Sequence, residues 1–232
     1  MQKTYIKQFP YIRIFACFAI VVLHTLFASN AYYDGLITGT EKLVTQTAEN
    51  MLMWAVPCFL MITGALLLDE NKSLTGKKIF KYTRRMVISL LVFTLLFQIM
   101  DYATSFQKTL FTGWLYRLFT GQSWAHMWYL YLMIGLYLMM PFYKMVADHA
   151  TERQMWGLIG SIVLFVSLLP LSRIFGLEPG FYIPTTMIYP AYLFLGHMFR
   201  KKSLGKVESW MLFLIPSVII IMLSTYCSAV LG

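Results

Sequence analysis

Runs of roughly twenty apolar residues recur seven times in this chain of 232, each near the length a helix needs to cross about 30 Å of hydrocarbon. They cover residues 11–29, 51–68, 86–104, 127–143, 155–172, 182–199 and 209–231. A backbone inside lipid must satisfy its own polar groups, and runs of this length do so as helices. The pattern therefore predicts an all-α fold, a polytopic transmembrane helical bundle of about seven spans. Composition agrees: 59% of residues are hydrophobic and 12% charged, where a soluble domain is about half apolar and about a quarter charged. No long polar stretch, repeat or low-complexity segment interrupts the runs, so residues 1–232 read as a single membrane-embedded domain.

The formal net charge of +9 does not point to nucleic acid, because no basic-aromatic platform lies outside the apolar runs. Membrane topology explains it instead. With the N-terminus in the cytoplasm, only Lys42, Lys108, Arg117 and Arg173 of the 19 Lys and Arg fall in outside segments. That is a strong positive-inside bias. It places the loop 69–85 inside and the loop 105–125 outside. Seven spans then leave the end of this chain outside, and the stop within an apolar run at Val230-Leu231-Gly232 reads as a truncation. Lys3 and Lys7 ahead of the first run, with Ser29-Asn30-Ala31 after it, loosely resemble a signal peptide. Arg13 and His24 inside that run favour an anchor. Cys17, Cys58 and Cys227 all fall in apolar runs with no metal-ligand spacing, so no metal site is expected.

Ionisable groups within a span cost on the order of 3 kcal/mol each, so a pair of them asks for a function. Arg13 and His24 are eleven steps apart. At about 100° per residue that is roughly 20° past three whole turns, and about 16 Å along the axis. Both lie on one face. Arg13 alone fits an interfacial anchor. His24 sits too deep to snorkel, and a structural bond to a neighbouring helix is the plain alternative. A histidine accepts a proton near neutral pH, and a guanidinium clamps phosphate.

Other features are weaker singly. Pro57 should kink the second span, and Thr63-Gly64 permits close helix approach near its inner end. The basic run Lys77-Lys78, Lys81, Arg84-Arg85 serves equally as a positive-inside anchor or as a phosphate-binding mouth. His126 stands at the outer interface among Trp124, Trp128 and Tyr129, where an aromatic belt is the plain explanation. His197, near the inner end of the sixth span, reads as structural.

Taken in order, these motifs resemble the integral-membrane acyltransferase-3 family over nearly the whole chain. Arg13 through His24 is similar to its Arg-ten-His signature. Val56-Pro57-Cys58-Phe59 through Thr63-Gly64 resembles its Val-Pro-x-Phe-Phe-x-x-Ser-Gly segment, with Leu60 for the second Phe and Thr63 for the Ser. The run to Arg84 and Arg85 resembles its cytoplasmic basic cluster. His126-Met127-Trp128-Tyr129-Leu130 resembles the His-x-Trp-Phe-Leu start of a later span. The resemblance implies transfer of an acetyl or other short acyl group from cytoplasmic acetyl-CoA, or another acyl-CoA, to a hydroxyl of a surface glycan or lipid-linked sugar at the cell membrane. Residues follow: His24 and Arg13 as the catalytic pair, Arg13, Arg84 and Arg85 for the donor, His126 and Trp128 for the acceptor. The family has more spans than seven, so its last helices are expected to be missing here.

Two alternatives stay open at this point. A transporter or channel would also place Arg and His along a path, although the spans show no internal duplication. An inactive remnant, or half of a split protein, would share every motif.

Overall fold

The computed structural model describes residues 8–33, 35–105, 111–122, 124–180, 183–201, 214, 217–223 and 225. Eight α-helices order them: α1 Gln8–Tyr32, α2 Gly39–Leu52, α3 Ala55–Leu67, α4 Gly76–Ser105, α5 Phe111–Thr120, α6 Trp128–His149, α7 Glu152–Val163 and α8 Ile188–Lys201. Among the described residues there is no strand. Among the described residues, five helical stretches are long and apolar enough to cross a membrane: Gln8–Tyr32, Gly39–Leu67, Gly76–Thr104, Trp128–His149 and Glu152–Arg173. These match the first five runs of the sequence. The sixth appears as α8, 14 residues long, with a 3-10 turn at Thr185–Met187 before it. Of the seventh, residues 217–223 are helical, and most of the rest lies outside the described residues.

Prolines explain where helices break. Pro57 lacks the N–H that would bond the Met53 carbonyl, and its ring crowds that carbonyl. The chain accordingly turns at Met53-Trp54 and restarts as α3, placing Pro57 in a first turn, where its missing N–H has no intrahelical partner to lose. Before Pro170, α7 widens into a π segment, Leu164–Leu168, then tightens to a 3-10 helix, Leu169–Phe175. Pro141 does not stop α6, which runs on to His149, six residues past the sequence boundary; a proline within a span is tolerated where neighbours re-satisfy the backbone. Thr151 and Gln154 start α7 with reciprocal capping bonds, Gln154 N to Thr151 Oγ1 at 3.3 Å and Thr151 N to Gln154 Oε1 at 2.9 Å.

The residues form two compact units, 1–69 with 150–232, and 70–149. In the first, α1 packs Ala16 and Ala19 against Ala55, with Ile20, Leu52 and Phe59 around them. Its α3 and α8 cross closely. A Cβ on Gly64 would stand 1.9 Å from the Leu193 carbonyl oxygen, and one on Gly196 would stand 1.9 Å from that of Met61. Only glycine allows that approach. One turn further on, Arg200 Nη1 donates to the Ala65 carbonyl at 2.6 Å, and Nη2 meets Asp69 Oδ2 at 2.5 Å. A cation thus satisfies a carbonyl at the C-terminal end of α3. These contacts pair α3 and α8 in parallel, as the second and sixth spans of the sequence reading require.

In the second unit α4 packs on α6, with Tyr82 and Tyr137 at 5.7 Å, and α5 lies on α4. Trp114 Nε1 donates to Thr94 Oγ1 at 3.0 Å, and the Arg117 guanidinium pairs with Asp101. Buried Lys144 pairs with Asp148 one turn along α6.

Candidate functional site

Arg13 and His24 both fall within α1, so the helical repeat holds them on one side. The helix buries Ala16, Ala19 and Leu23. Arg13 is about 60° and His24 about 80° around the axis from Ala16. Both therefore flank the packed stripe rather than face lipid squarely. Arg13 is exposed and His24 half-buried. The His24 imidazole meets the Phe27 ring edge-on at 6.2 Å.

The basic run opens α4. Lys77, Lys81, Arg84 and Arg85 recur at steps of four, three and one, so they share one side of the helix, and all four are exposed. Lys78 instead turns back to cap the preceding loop, Nζ to the Ser73 carbonyl at 2.8 Å. Arg84 and Arg85 stand in the third turn of α4, and an exposed guanidinium offers the planar fork that binds phosphate.

His126 lies in a 3-10 turn, Ala125–Met127, directly before α6. Its half-buried ring stands edge-on to Phe97 at 5.1 Å and to Trp124 at 6.1 Å, and Phe97 and Trp124 stack at 4.6 Å. Trp128 is exposed at the first position of α6, edge-on to Tyr129 at 6.1 Å. Along α4, Phe97 is twelve residues past Arg85, about 18 Å. Within this unit the exposed arginines and the His126 cluster thus occupy separate levels of one helix, as Arg13 and His24 do on α1. The two sets belong to different units: Arg13 and His24 to the first, Arg84, Arg85, His126 and Trp128 to the second.

Among the described residues, the sequence pattern did not single out the buried polar side chains Glu49 and Gln98. Glu49, 6% exposed, accepts a 2.6 Å bond from Asn30 Nδ2 and ties α2 to the far end of α1. It precedes the second apolar run by two residues, so hydropathy passed over it. Gln98 is buried on α4 within the third run; a lone amide among apolar residues was the available signal. Thr63 Oγ1 returns to the Phe59 carbonyl at 2.8 Å, and His197 is buried beside Gly196. Among the described residues, no three His, Cys, Asp or Glu side chains gather as a metal ion would need.

A family model described as an acyltransferase domain matches residues 6–231. No curated protein and no solved structure matches the chain.

Proposed function

Because this chain belongs to the acyltransferase-3 family of membrane proteins, we propose that it moves an acetyl or other short acyl group from cytoplasmic acyl-CoA to a hydroxyl of a glycan or lipid-linked sugar on the outer side. The observation that supports this reading is the Arg13–His24 stripe, an exposed guanidinium about 16 Å from a half-buried imidazole on one helix. An extended pantetheine arm is about that long, so phosphates at Arg13 leave the thioester near His24.

In this mechanism Arg13, Arg84 and Arg85 hold the coenzyme A phosphates by charge-assisted hydrogen bonds. His24 takes the proton of the acceptor hydroxyl as its oxygen attacks the thioester carbonyl. The C–S bond then breaks, and the imidazolium returns the proton to the leaving thiolate. General base catalysis of this kind is worth about 10²–10⁴-fold. His126 and Trp128 orient the acceptor. The domain sits in the cell membrane with its N-terminus in the cytoplasm, in contact with lipid throughout.

The test is incubation of inside-out vesicles with acetyl-CoA labelled in the acetyl group, followed by extraction of glycan and lipid. Label in a sugar-bearing fraction is expected, and it should depend on this chain. Label in no such fraction, with acetyl-CoA or with longer acyl-CoA donors, overturns the reading.

A further inference from the structure

The second unit holds a buried amide that its neighbours leave unanswered. Gln98 is 1% exposed, and neither its Nε2 nor its Oε1 has a hydrogen-bond partner among the described residues. Native proteins rarely bury a polar group so, because it forfeits the bonds it makes in water. One turn to either side, α4 is tied to α5, by Trp114 to Thr94 and by Arg117 to Asp101. Next to Gln98 in sequence, Phe97 carries the stacked Trp124 ring and the edge of His126.

We propose that Gln98 is an acceptor-binding residue. Its carboxamide takes two neighbouring hydroxyls of a sugar, donating from Nε2 and accepting at Oε1. A carboxamide matches adjacent hydroxyls because it offers donor and acceptor side by side. Helix α5 is tied to α4 at Thr94 and Asp101, on the same helix face as Gln98 and one turn to either side of it, so the sugar enters as the Trp114–Thr94 and Arg117–Asp101 contacts release. The proposal rests on the reading that places the acceptor at His126, and extends it to a specific anchor and cover.

The test uses the whole chain in detergent, with glucose, galactose and N-acetylglucosamine as probes. Tryptophan fluorescence reports binding, since Trp114 bonds Thr94 one turn from Gln98 on the same helix face. At least one of these sugars should give a saturable change. Gln98→Leu should abolish it while leaving the melting temperature unchanged or higher, because an apolar group of similar shape replaces an unpaired polar one. In the transfer assay Gln98→Leu should raise the acceptor KM at least ~10-fold and leave the acyl-CoA KM alone. Gln98→Met serves if the leucine variant does not fold. No response from any of the three sugars overturns the proposal, as does unchanged sugar affinity in the variants; a lower melting temperature with intact affinity makes Gln98 a structural link. Sugar binding through Gln98 without acyl transfer sinks the enzymatic reading alone. Transfer with an unmoved acceptor KM in Gln98→Leu sinks this inference alone.

Discussion

At the scale of single residues, the proposed chemistry turns on His24 and Arg13. In the proposed mechanism the half-buried imidazole of His24, edge-on to Phe27, takes the proton of the acceptor hydroxyl. His24→Ala should therefore lower acyl transfer at least ~10²-fold without reducing the amount of chain inserted in the membrane. Vesicle assays normalised to inserted protein measure this, and activity within a few-fold of wild type would end its role as base. Arg13 is exposed, so its replacement leaves the core untouched. Arg13→Lys keeps the charge and loses the planar fork. Coenzyme A affinity measured by calorimetry should fall, with acceptor affinity little changed. An unchanged coenzyme A affinity would leave Arg13 as an interfacial anchor.

Elements meet here through backbone as much as through side chains. Lipid is as apolar as leucine, so α3 and α8 gain little from hydrophobic burial and associate by close approach at Gly64 and Gly196. Gly64→Ala and Gly196→Ala each push a methyl to 1.9 Å from a carbonyl oxygen, far inside contact distance, and should each cost about 1–3 kcal/mol. The double variant should cost less than the sum, because helices already forced apart accommodate the second methyl. Gly135→Ala and Gly157→Ala, where an added Cβ meets nothing within 4 Å, should be neutral or slightly stabilising. Thermal denaturation in detergent separates the two pairs. Equal behaviour of all four would refute the close crossing.

For the whole molecule, the decisive property is which end of each helix faces the cytoplasm. The proposed cytoplasmic acyl-CoA donor requires the exposed arginines of α4 to face inward and the His126 level to face outward. Single cysteines at Ser73 and Gln122, both exposed, in a chain with Cys17, Cys58 and Cys227 replaced, report this directly. In intact cells an impermeant thiol reagent should label position 122 and spare position 73. The reverse pattern would place Arg13 outside and close the proposed route for acyl-CoA.

Much of this protein is determined by local pattern. Run length set the membrane class and the first five spans, since a helix rises by a constant amount per residue and the hydrocarbon has a set thickness. The same periodicity aligned Arg13 with His24 and grouped Arg84 with Arg85 before any contact was known. Pro57 announced its own break, though the turn came at Met53-Trp54, one turn earlier than the proline. Tertiary structure alone decided which faces meet. In a soluble helix the apolar stripe marks the core, but in lipid every face is apolar, and the sequence pattern does not separate a neighbour from the bilayer. Hence the parallel pairing of Gly64 with Gly196, Arg200 reaching Ala65 across 135 positions, the Asn30–Glu49 bond and the burial of Gln98 were all beyond local reading. Each depends on two surfaces far apart in the chain fitting one another, a property no single stretch of residues carries.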